Sequence, residues 1–242
     1  MDIIAPDPAL VHKLVAANRI LYQQGVVDGM GHVSVRHGSA DGVFMLSCSR
    51  APALVVVSDI VCYDLDGNAI SQTNETNARP YVERFIHGEI YRTRADVIAV
   101  VHSHSAGVIP FGVTGHRLRP VYHMAGFLGS GSAFFDIRGA AGNTDMLIRN
   151  PELGRALAAS LGAQTCVLMR GHGSTTVGNS IEQVVYRAIY AESNAQLQAQ
   201  AMALGEVIYL SAEEADLAAA SNDLVLGRSW ELWLRRAGKI ES

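Results

Sequence analysis

Val97-Ile98-Ala99-Val100-Val101-His102-Ser103-His104 is a short, β-branched apolar run that ends in two histidines. Such a run predicts a buried strand. Side chains two residues apart on a strand point to the same face, so His102 and His104 are expected to lie side by side where the strand ends. Two imidazoles held on rigid backbone in this way are suited to binding a metal ion.

A third histidine ends another apolar segment, Cys166-Val167-Leu168-Met169-Arg170-Gly171-His172. Taken alone, an HxH pair is more often two polar residues that leave a strand for a loop. The second strand end that carries a histidine favours metal ligation instead, because three imidazole nitrogens with one open position are typical of catalytic sites. We therefore predict that His102, His104 and His172 bind one divalent metal ion per subunit.

Composition narrows the class of protein. The 242 residues are 49% hydrophobic and 17% charged, which fits one globular domain over residues 1–242. The net charge of −4 gives no basic surface for nucleic acid, and no apolar stretch is long enough to cross a membrane. The start of the chain lacks the features of a signal peptide, and the three cysteines show no CxxC pattern, so we expect a cytoplasmic protein with reduced thiols.

Capping and turn signals predict alternating helices and strands. Helices are expected from Asp7-Pro8 to Gly25, from Pro80 to about Arg94, from Asn150 to Gly162 and from Ser180 to Gly205, with a helical tail after Ser211. Short strands separated by turns lie between them. This order predicts a single α/β domain with a mixed or largely antiparallel sheet.

Glu83 is the candidate acid or base. On the helix from Pro80, Glu83, His87 and Tyr91 are spaced four apart and share a face. A carboxylate on a helix that leads into the histidine strand can reach the open side of a metal ion and exchange protons there. The alternative is a first-turn carboxylate that only favours the helix dipole. His87 alone is typical of a hydrogen-bonded core histidine, and Tyr91 of a packed side chain.

The chain resembles the class II (metal-dependent) aldolase/adducin family over nearly its whole length. The matching elements, in order, are Gly31-His32-Val33-Ser34, Glu83, Ala99–His104 and Arg170-Gly171-His172-Gly173. The resemblance implies a three-layer α/β/α sandwich on a mixed, mainly antiparallel sheet. It implies zinc on the three histidines, with Glu83 as catalytic acid or base. It also implies a C4 homotetramer with active sites at subunit interfaces. From their spacing on the tail helix, Trp230 and Trp233 are expected to pack across a subunit interface; the alternative is a lid over an aromatic substrate.

Departures from the family pattern bear on the substrate. The asparagine and the Thr-Gly pair that hold phosphate in the aldolases correspond to His32 and to Ser49-Arg50. A guanidinium can hold a planar carboxylate by two parallel hydrogen bonds. We therefore expect His32, Ser34, Ser49 and Arg50 to bind a small acidic substrate rather than a sugar phosphate. Arg170 either reaches the same carboxylate or pairs with an acid in the sheet.

His123 aligns with the tyrosine that serves as proton donor from a neighbouring subunit in the aldolases, so it is a second candidate catalytic residue; the alternative is a structural histidine.

The chain also resembles one decarboxylase branch of this family, which acts on hydroxylated aromatic ortho-dicarboxylates of phthalate or pyridine type. The segments that carry this resemblance are Asp28–Arg36, Ser47–Pro52, Glu83–Tyr91 and Met169–Gly173. That branch implies catabolism of aromatic acids. The metal would chelate the hydroxyl and the leaving carboxylate, and Glu83 or His123 would protonate the ring carbon.

Three other functions remain open at this point. A retro-aldol lyase for an unphosphorylated hydroxy-keto acid would use Arg50 equally well. An iron-dependent oxygenase exists on this fold, and adducin-like members are interaction modules that have lost the metal residues. Three imidazoles favour Zn²⁺, while Mn²⁺, Co²⁺ and Fe²⁺ also suit a site that takes a carboxylate-rich substrate.

Overall fold

A seven-stranded sheet forms the middle of the protein in a computed structural model that describes residues 4–71 and 79–238. The strands are β1 (His32–Arg36), β2 (Val43–Ser47), β3 (Ile60–Asp64), β4 (Ala99–Ser103), β5 (Ala133–Phe135), β6 (Cys166–Met169) and β7 (Gly173–Gly178). They lie in the order β3-β2-β1-β4-β7-β6-β5, and every neighbouring pair is antiparallel except β5 with β6. The expected mixed, mainly antiparallel sheet is confirmed.

Eight α-helices accompany these strands in the described residues. They are α1 (Pro8–Gln23), α2 (Phe85–Thr93), α3 (Ile109–Val113), α4 (Arg138–Ala141), α5 (Pro151–Leu161), α6 (Ile181–Leu204), α7 (Ala212–Asp223) and α8 (Leu226–Ala237). Short 3-10 segments occur at Pro52–Leu54, Val57–Asp59, Val82–Arg84 and His123–Leu128.

Alternating side chains of the sheet pack into two separate apolar cores, one on each face. Ala99 and Val101 of β4 pack with α1, α6 and α8, whereas Val100 packs on the opposite face with Ile86 of α2 and Leu157 of α5. Helices therefore cover both faces, and the predicted three-layer α/β/α arrangement is confirmed. His102 lies two residues after Val100, so its side chain emerges on the α2 and α5 face.

Three helix starts follow their predicted caps. The side chains of Asp7, Asn150 and Ser180 accept hydrogen bonds from the backbone N–H groups of Ala9, Leu153 and Gln183 at 2.9, 2.9 and 3.0 Å. Each cap satisfies an N–H that the first turn of the helix leaves without a partner.

The helix expected from Pro80 was predicted too early in the chain. Tyr81 is extended (ψ 139°), and its hydroxyl reaches the carbonyl oxygen of Arg50. A 3-10 turn follows, in which Glu83 has non-helical backbone angles, and regular helix begins at Phe85. The anchored Tyr81 holds this segment extended, so the Glu83 side chain leaves the backbone before the helix begins.

The tail forms α7 and α8, and the expectation that both its tryptophans belong to a subunit interface is wrong for Trp233. That side chain is 6% exposed and lies 6.3 Å from the ring of Tyr190 within the same chain. Trp230 is partly buried against the same core. Within the described residues, no helix combines the length and the apolar character needed to cross a membrane.

Gly173→Ala provides a test of the packing between β4 and β7. A Cβ at residue 173 would overlap the carbonyl oxygen of Ser103 and lie 3.0 Å from the Cα of His104. Overpacking of this kind costs about 1–3 kcal/mol, so thermal denaturation should show a melting temperature several degrees lower. Gly227→Ala in α8 is the control, because a Cβ there meets nothing within 4 Å. Equal melting temperatures for the two variants would contradict the close approach.

Candidate metal centre and adjoining cavity

Three histidines from two separate parts of the sheet converge on one point. His102 is in β4, His104 follows that strand directly, and His172 lies in the tight turn between β6 and β7. The Nε2 atom of His104 is 3.1 Å from Nε2 of His102 and 2.9 Å from Nε2 of His172. The sequence therefore identified three side chains that the fold does bring together.

Glu83 completes the cluster. Its Oε2 atom lies 3.5 Å from Nε2 of His102 and 3.4 Å from Nε2 of His172, and the four potential ligand atoms all lie within 4.8 Å of one another. A tetrahedral zinc ion with bonds of about 2.0–2.1 Å would separate its ligands by about 3.3 Å. The observed separations fit a single metal ion at the centre of these four groups.

Hydrogen bonds on the far side of the rings orient two of the ligands. Nδ1 of His172 is 3.0 Å from the carbonyl oxygen of Met146, which can only accept, so Nδ1 carries the proton and Nε2 offers a lone pair in the neutral ring. Nδ1 of His102 lies 3.4 Å from the hydroxyl of Thr175. Lone pairs that face each other at about 3 Å repel unless a cation lies between them, so the donor set fits a bound metal ion.

The electrostatics of the cluster favour a neutral His104 and an ionised Glu83. Burial alone would lower the pKa of His172, but the hydrogen bond and the charge of Glu83 raise it above its usual value. Burial and the neighbouring His102 and His172 lower the pKa of His104 to about 4. Burial by itself would raise the pKa of Glu83, but interactions with His102 and His172 outweigh it and hold this pKa far below its usual range. An ionised carboxylate beside a neutral imidazole is the combination that a divalent cation binds.

A cavity of about 350 Å³ opens beside the cluster. Glu83, His102 and His104 line one part of its wall, and His32, Ser49 and Arg50 contribute further polar groups. The remaining lining is mostly apolar and consists of Gly29, Met30, Gly31, Ala51, Tyr81, Val82 and Leu147. The volume and the mixture of an apolar wall with a few polar groups are typical of a small-molecule site.

His32 reaches the cavity through the register of the sheet. It pairs with His102 across β1 and β4, so the two rings lie next to each other with centroids 5.1 Å apart. The ring of Tyr81, which also lines the cavity, lies 4.6 Å from the ring of His32. Burial and the neighbouring His87 and His102 lower the pKa of His32 well below its usual value.

Arg50 is held in place beside the cavity by a buried carboxylate. Its Nη1 atom donates to Oδ1 of Asp59 at 2.7 Å, and Oδ2 of Asp59 also accepts from the backbone N–H of Val56 at 2.8 Å. Tyr81 fixes the backbone of Arg50 through its carbonyl oxygen. A guanidinium restrained in this way has a fixed orientation beside the cavity.

Three of the predicted catalytic and substrate-binding residues do not line the cavity. Ser34 is fully buried beneath His32, where its hydroxyl contacts His87 and Tyr91. Arg170 donates to Asp136 at 2.9 Å, which corresponds to the sheet-acid alternative for this residue. His123 is exposed, and its carbonyl oxygen accepts from Asn222. The substrate role expected for Ser34 therefore needs correction, because internal partners occupy its hydroxyl. For Arg170, the ion pair with Asp136 supports the sheet-acid alternative, and the substrate role needs correction because this side chain does not line the cavity.

Sequence reasoning missed the segment that links the two halves of the site. The carbonyl oxygen of Met146 accepts from His172, the backbone N–H of Ile148 donates to Oε1 of Glu83 at 2.9 Å, and Leu147 between them lines the cavity. Met146 has a positive φ of 71°, the only one among the described residues other than glycine. Such strain is characteristic of functional loops, but methionine carries no sequence signal for it.

The sequence profile of the Class II Aldolase and Adducin N-terminal domain matches residues 12–199. The chain belongs to the class II aldolase and adducin family. It is 37% identical to the decarboxylase tropJ of Talaromyces stipitatus over 95% of this chain and 94% of that protein. It is 33% identical to a 3,4-dihydroxyphthalate decarboxylase of Arthrobacter keyseri, over 79% of this chain and 78% of the relative.

Solved structures agree with the fold. An L-fuculose 1-phosphate aldolase from Glaciozyma antarctica superposes with a TM-score of 0.78 and 24% identity, covering 95% of this chain and 88% of that one. This likeness concerns the architecture alone. With its decarboxylase relatives and its lyase family, the chain is an enzyme of the carbon–carbon lyase class.

Metal content provides a direct test of the centre. His172→Ala leaves only two of the three converging histidines. Catalytic zinc sites commonly use three protein ligands, so we expect the zinc content of zinc-loaded protein to fall from about one ion per chain to well below half under dialysis. The measurement is elemental analysis of the dialysed protein. His116→Ala is the control, because His116 is exposed and outside the cluster. Full zinc content in His172→Ala would refute the assignment.

Proposed function

We propose that the protein catalyses the metal-dependent decarboxylation of a hydroxylated aromatic ortho-dicarboxylate of phthalate or pyridine type. The observation that carries this proposal is that Glu83, His102 and His104 of the cluster line the same cavity as Arg50 and His32. The names of its decarboxylase relatives support the reaction type.

Recognition of an aromatic acid follows from the lining of the cavity. The ring of Tyr81 and the side chains of Val82, Met30 and Leu147 offer apolar surface to a planar ring. Arg50 provides directed N–H donors that suit the carboxylate that remains on the ring. Ser49 adds one hydroxyl, so the cavity has fewer donors for a phosphate than the aldolase pattern would give.

The metal centre would be formed by His102, His104 and His172, with Glu83 beside it, and Zn²⁺ suits this donor set best. A divalent cation there would supply an electrophilic partner for the charge that develops when the bond to the carboxylate breaks. Mn²⁺, Co²⁺ and Fe²⁺ remain alternatives in this proposal. The chain's own residues then have to bind the ring and move one proton.

Glu83 is suited to move that proton. The carboxylate is ionised in the resting site, so it first takes the proton of the ring hydroxyl that lies ortho to the leaving carboxylate. It then gives this proton to the ring carbon that bears the carboxylate, which becomes tetrahedral. The carbon–carbon bond breaks, carbon dioxide departs, and the electron pair restores the aromatic ring. The hydrogen bond from Ile148 to Oε1 keeps Oε2 directed at the reaction.

His123 and the quaternary structure form a separate part of the proposal. His123 is exposed and lies outside the cavity of its own chain, so it acts as a proton donor only if it enters the cavity of a neighbouring subunit. A C4 homotetramer would supply that neighbour. The three cysteines are buried and none of them is in a disulfide, which fits the reducing cytoplasm that we propose as the location.

A substrate panel tests the function. Purified protein is stripped of metal, reloaded with Zn²⁺, Mn²⁺, Co²⁺ or Fe²⁺ in turn, and given 3,4-dihydroxyphthalate, a hydroxylated pyridine dicarboxylate, and an unphosphorylated hydroxy-keto acid. We expect carbon dioxide from at least one aromatic acid and no aldehyde from the keto acid. Aldehyde release without carbon dioxide release would favour the retro-aldol alternative and overturn the proposal.

Glu83→Gln tests the proton transfer. The amide oxygen of glutamine can still accept from Ile148, but the side chain can no longer take up a proton, so we expect kcat to fall by about 10²–10⁴-fold while the three histidines retain metal. Activity and metal content are measured on the same preparation.

Glu192→Gln is the matched control for this variant. Glu192 is a buried carboxylate that also accepts from a backbone N–H, that of Gly107, but it does not line the cavity. A rate for Glu83→Gln close to that of Glu192→Gln would exclude the acid–base role.

A further inference from the structure

A continuous chain of hydrogen bonds runs from the cavity into the core beneath β1. Nδ1 of His32 is 2.7 Å from Nε2 of His87, Nδ1 of His87 is 2.6 Å from Oγ of Ser34, and this Oγ is 2.8 Å from the hydroxyl of Tyr91. His87, Ser34 and Tyr91 are at most 2% exposed. Only His32, at the outer end, lines the cavity.

The buried end of this hydrogen-bond chain, at Tyr91, determines which group of each pair donates. Among the residues that the structure describes, the hydroxyl of Tyr91 contacts Oγ of Ser34 and the backbone of Val100. The contact with Val100 lowers the pKa of Tyr91, so it comes from a backbone N–H that donates and cannot take the phenolic proton. The phenolic proton therefore goes to Oγ of Ser34, because the opposite direction would leave a buried hydroxyl proton without an acceptor. Ser34 then has one proton of its own to give, and its other neighbour is Nδ1 of His87.

The same direction of donation continues through both imidazole rings. Because Nδ1 of His87 accepts, the proton of this ring is on Nε2, which donates to Nδ1 of His32. With Nδ1 of His32 occupied as an acceptor, the proton of His32 must be on Nε2. We infer that Tyr91, Ser34 and His87 are positioning residues that make the Nε2–H of His32 a hydrogen-bond donor directed at a carboxylate oxygen of the bound substrate.

The surroundings of the chain agree with this direction. The ring of Phe44 stacks on His87 with centroids 6.2 Å apart, so water has little access to it. Burial and His102 lower the pKa of His87 to about 3, which keeps the ring neutral near pH 7. A neutral ring has one proton and one lone pair, so the direction set at Tyr91 reaches His32 unchanged.

The consequence is selectivity for an acceptor group. A carboxylate oxygen next to His32 gains a hydrogen bond, whereas an amide or ammonium N–H at the same place would meet another donor. The carboxylate as the group bound rests on the proposed function. The direction of the chain does not, because it follows from the hydrogen bonds alone.

The tautomer can be measured without turnover. In zinc-loaded protein with ¹⁵N-labelled histidine, long-range proton–nitrogen correlation spectra distinguish Nε2–H from Nδ1–H rings, and His32→Asn and His87→Asn variants assign two of the nine histidines. We expect both His32 and His87 as Nε2–H tautomers. An Nδ1–H tautomer at His32 would overturn the inference.

Tyr91→Phe removes the donor that sets the direction, so we expect a mixture of tautomers at His32. We also expect KM for 3,4-dihydroxyphthalate to rise about three- to tenfold with little change in kcat, as for a contact made equally in the ground and transition states. Tyr63→Phe is the matched control, because Tyr63 is buried and stacks on the same Phe44 but has no contact with Ser34.

An unchanged His32 tautomer in Tyr91→Phe would overturn the role of Tyr91. The failure of the proposed function looks different: a protein that shows the Nε2–H tautomer but releases no carbon dioxide would contradict the reaction and leave the direction of the chain intact.

Discussion

The antiparallel pairing of β4 with β1 on one side and β7 on the other is the constraint from which the site follows. His102 of β4 consequently lies opposite His32 of β1 on one side and opposite Thr175 of β7 on the other. A shift of one residue in either pairing would turn these side chains to the α1 and α6 face, where the core is apolar. The register that buries Val33 and Val101 on one face therefore also assembles the imidazoles on the other.

Side chains on this face serve two purposes at different depths. Near the end of β4, the Nε2 atoms of three histidines and Oε2 of Glu83 converge on a cation site. Deeper under β1, His87, Ser34 and Tyr91 form a neutral, fully hydrogen-bonded set with the ring of His32 at its surface. His32 lies between the two sets, and its ring contacts both His87 and His102.

Much of this could be predicted from the sequence, because the relevant signals are local. The strand with His102 and His104, the capped helices and the third histidine depend on periodicity and spacing, and the aldolase-like motifs identified Glu83. The start of α2 was misplaced because Tyr81 is fixed by Arg50, a contact between residues far apart in sequence. Ser34 was assigned to substrate because the sequence does not show that Tyr91 and His87 already occupy its hydroxyl, and the choice for Arg170 stayed open because its pairing with Asp136 depends on the fold.

Met146 and Ile148 were beyond prediction for a different reason, since they act through backbone atoms that any residue possesses. The carbonyl of one and the N–H of the other hold opposite sides of the centre, and a single residue, Leu147, separates them in sequence. The stretch is largely solvent-facing and rich in turns, which ordinarily tolerates insertions and deletions. Here its length is fixed, because one added or deleted residue would bring only one of the two backbone groups to its partner at a time.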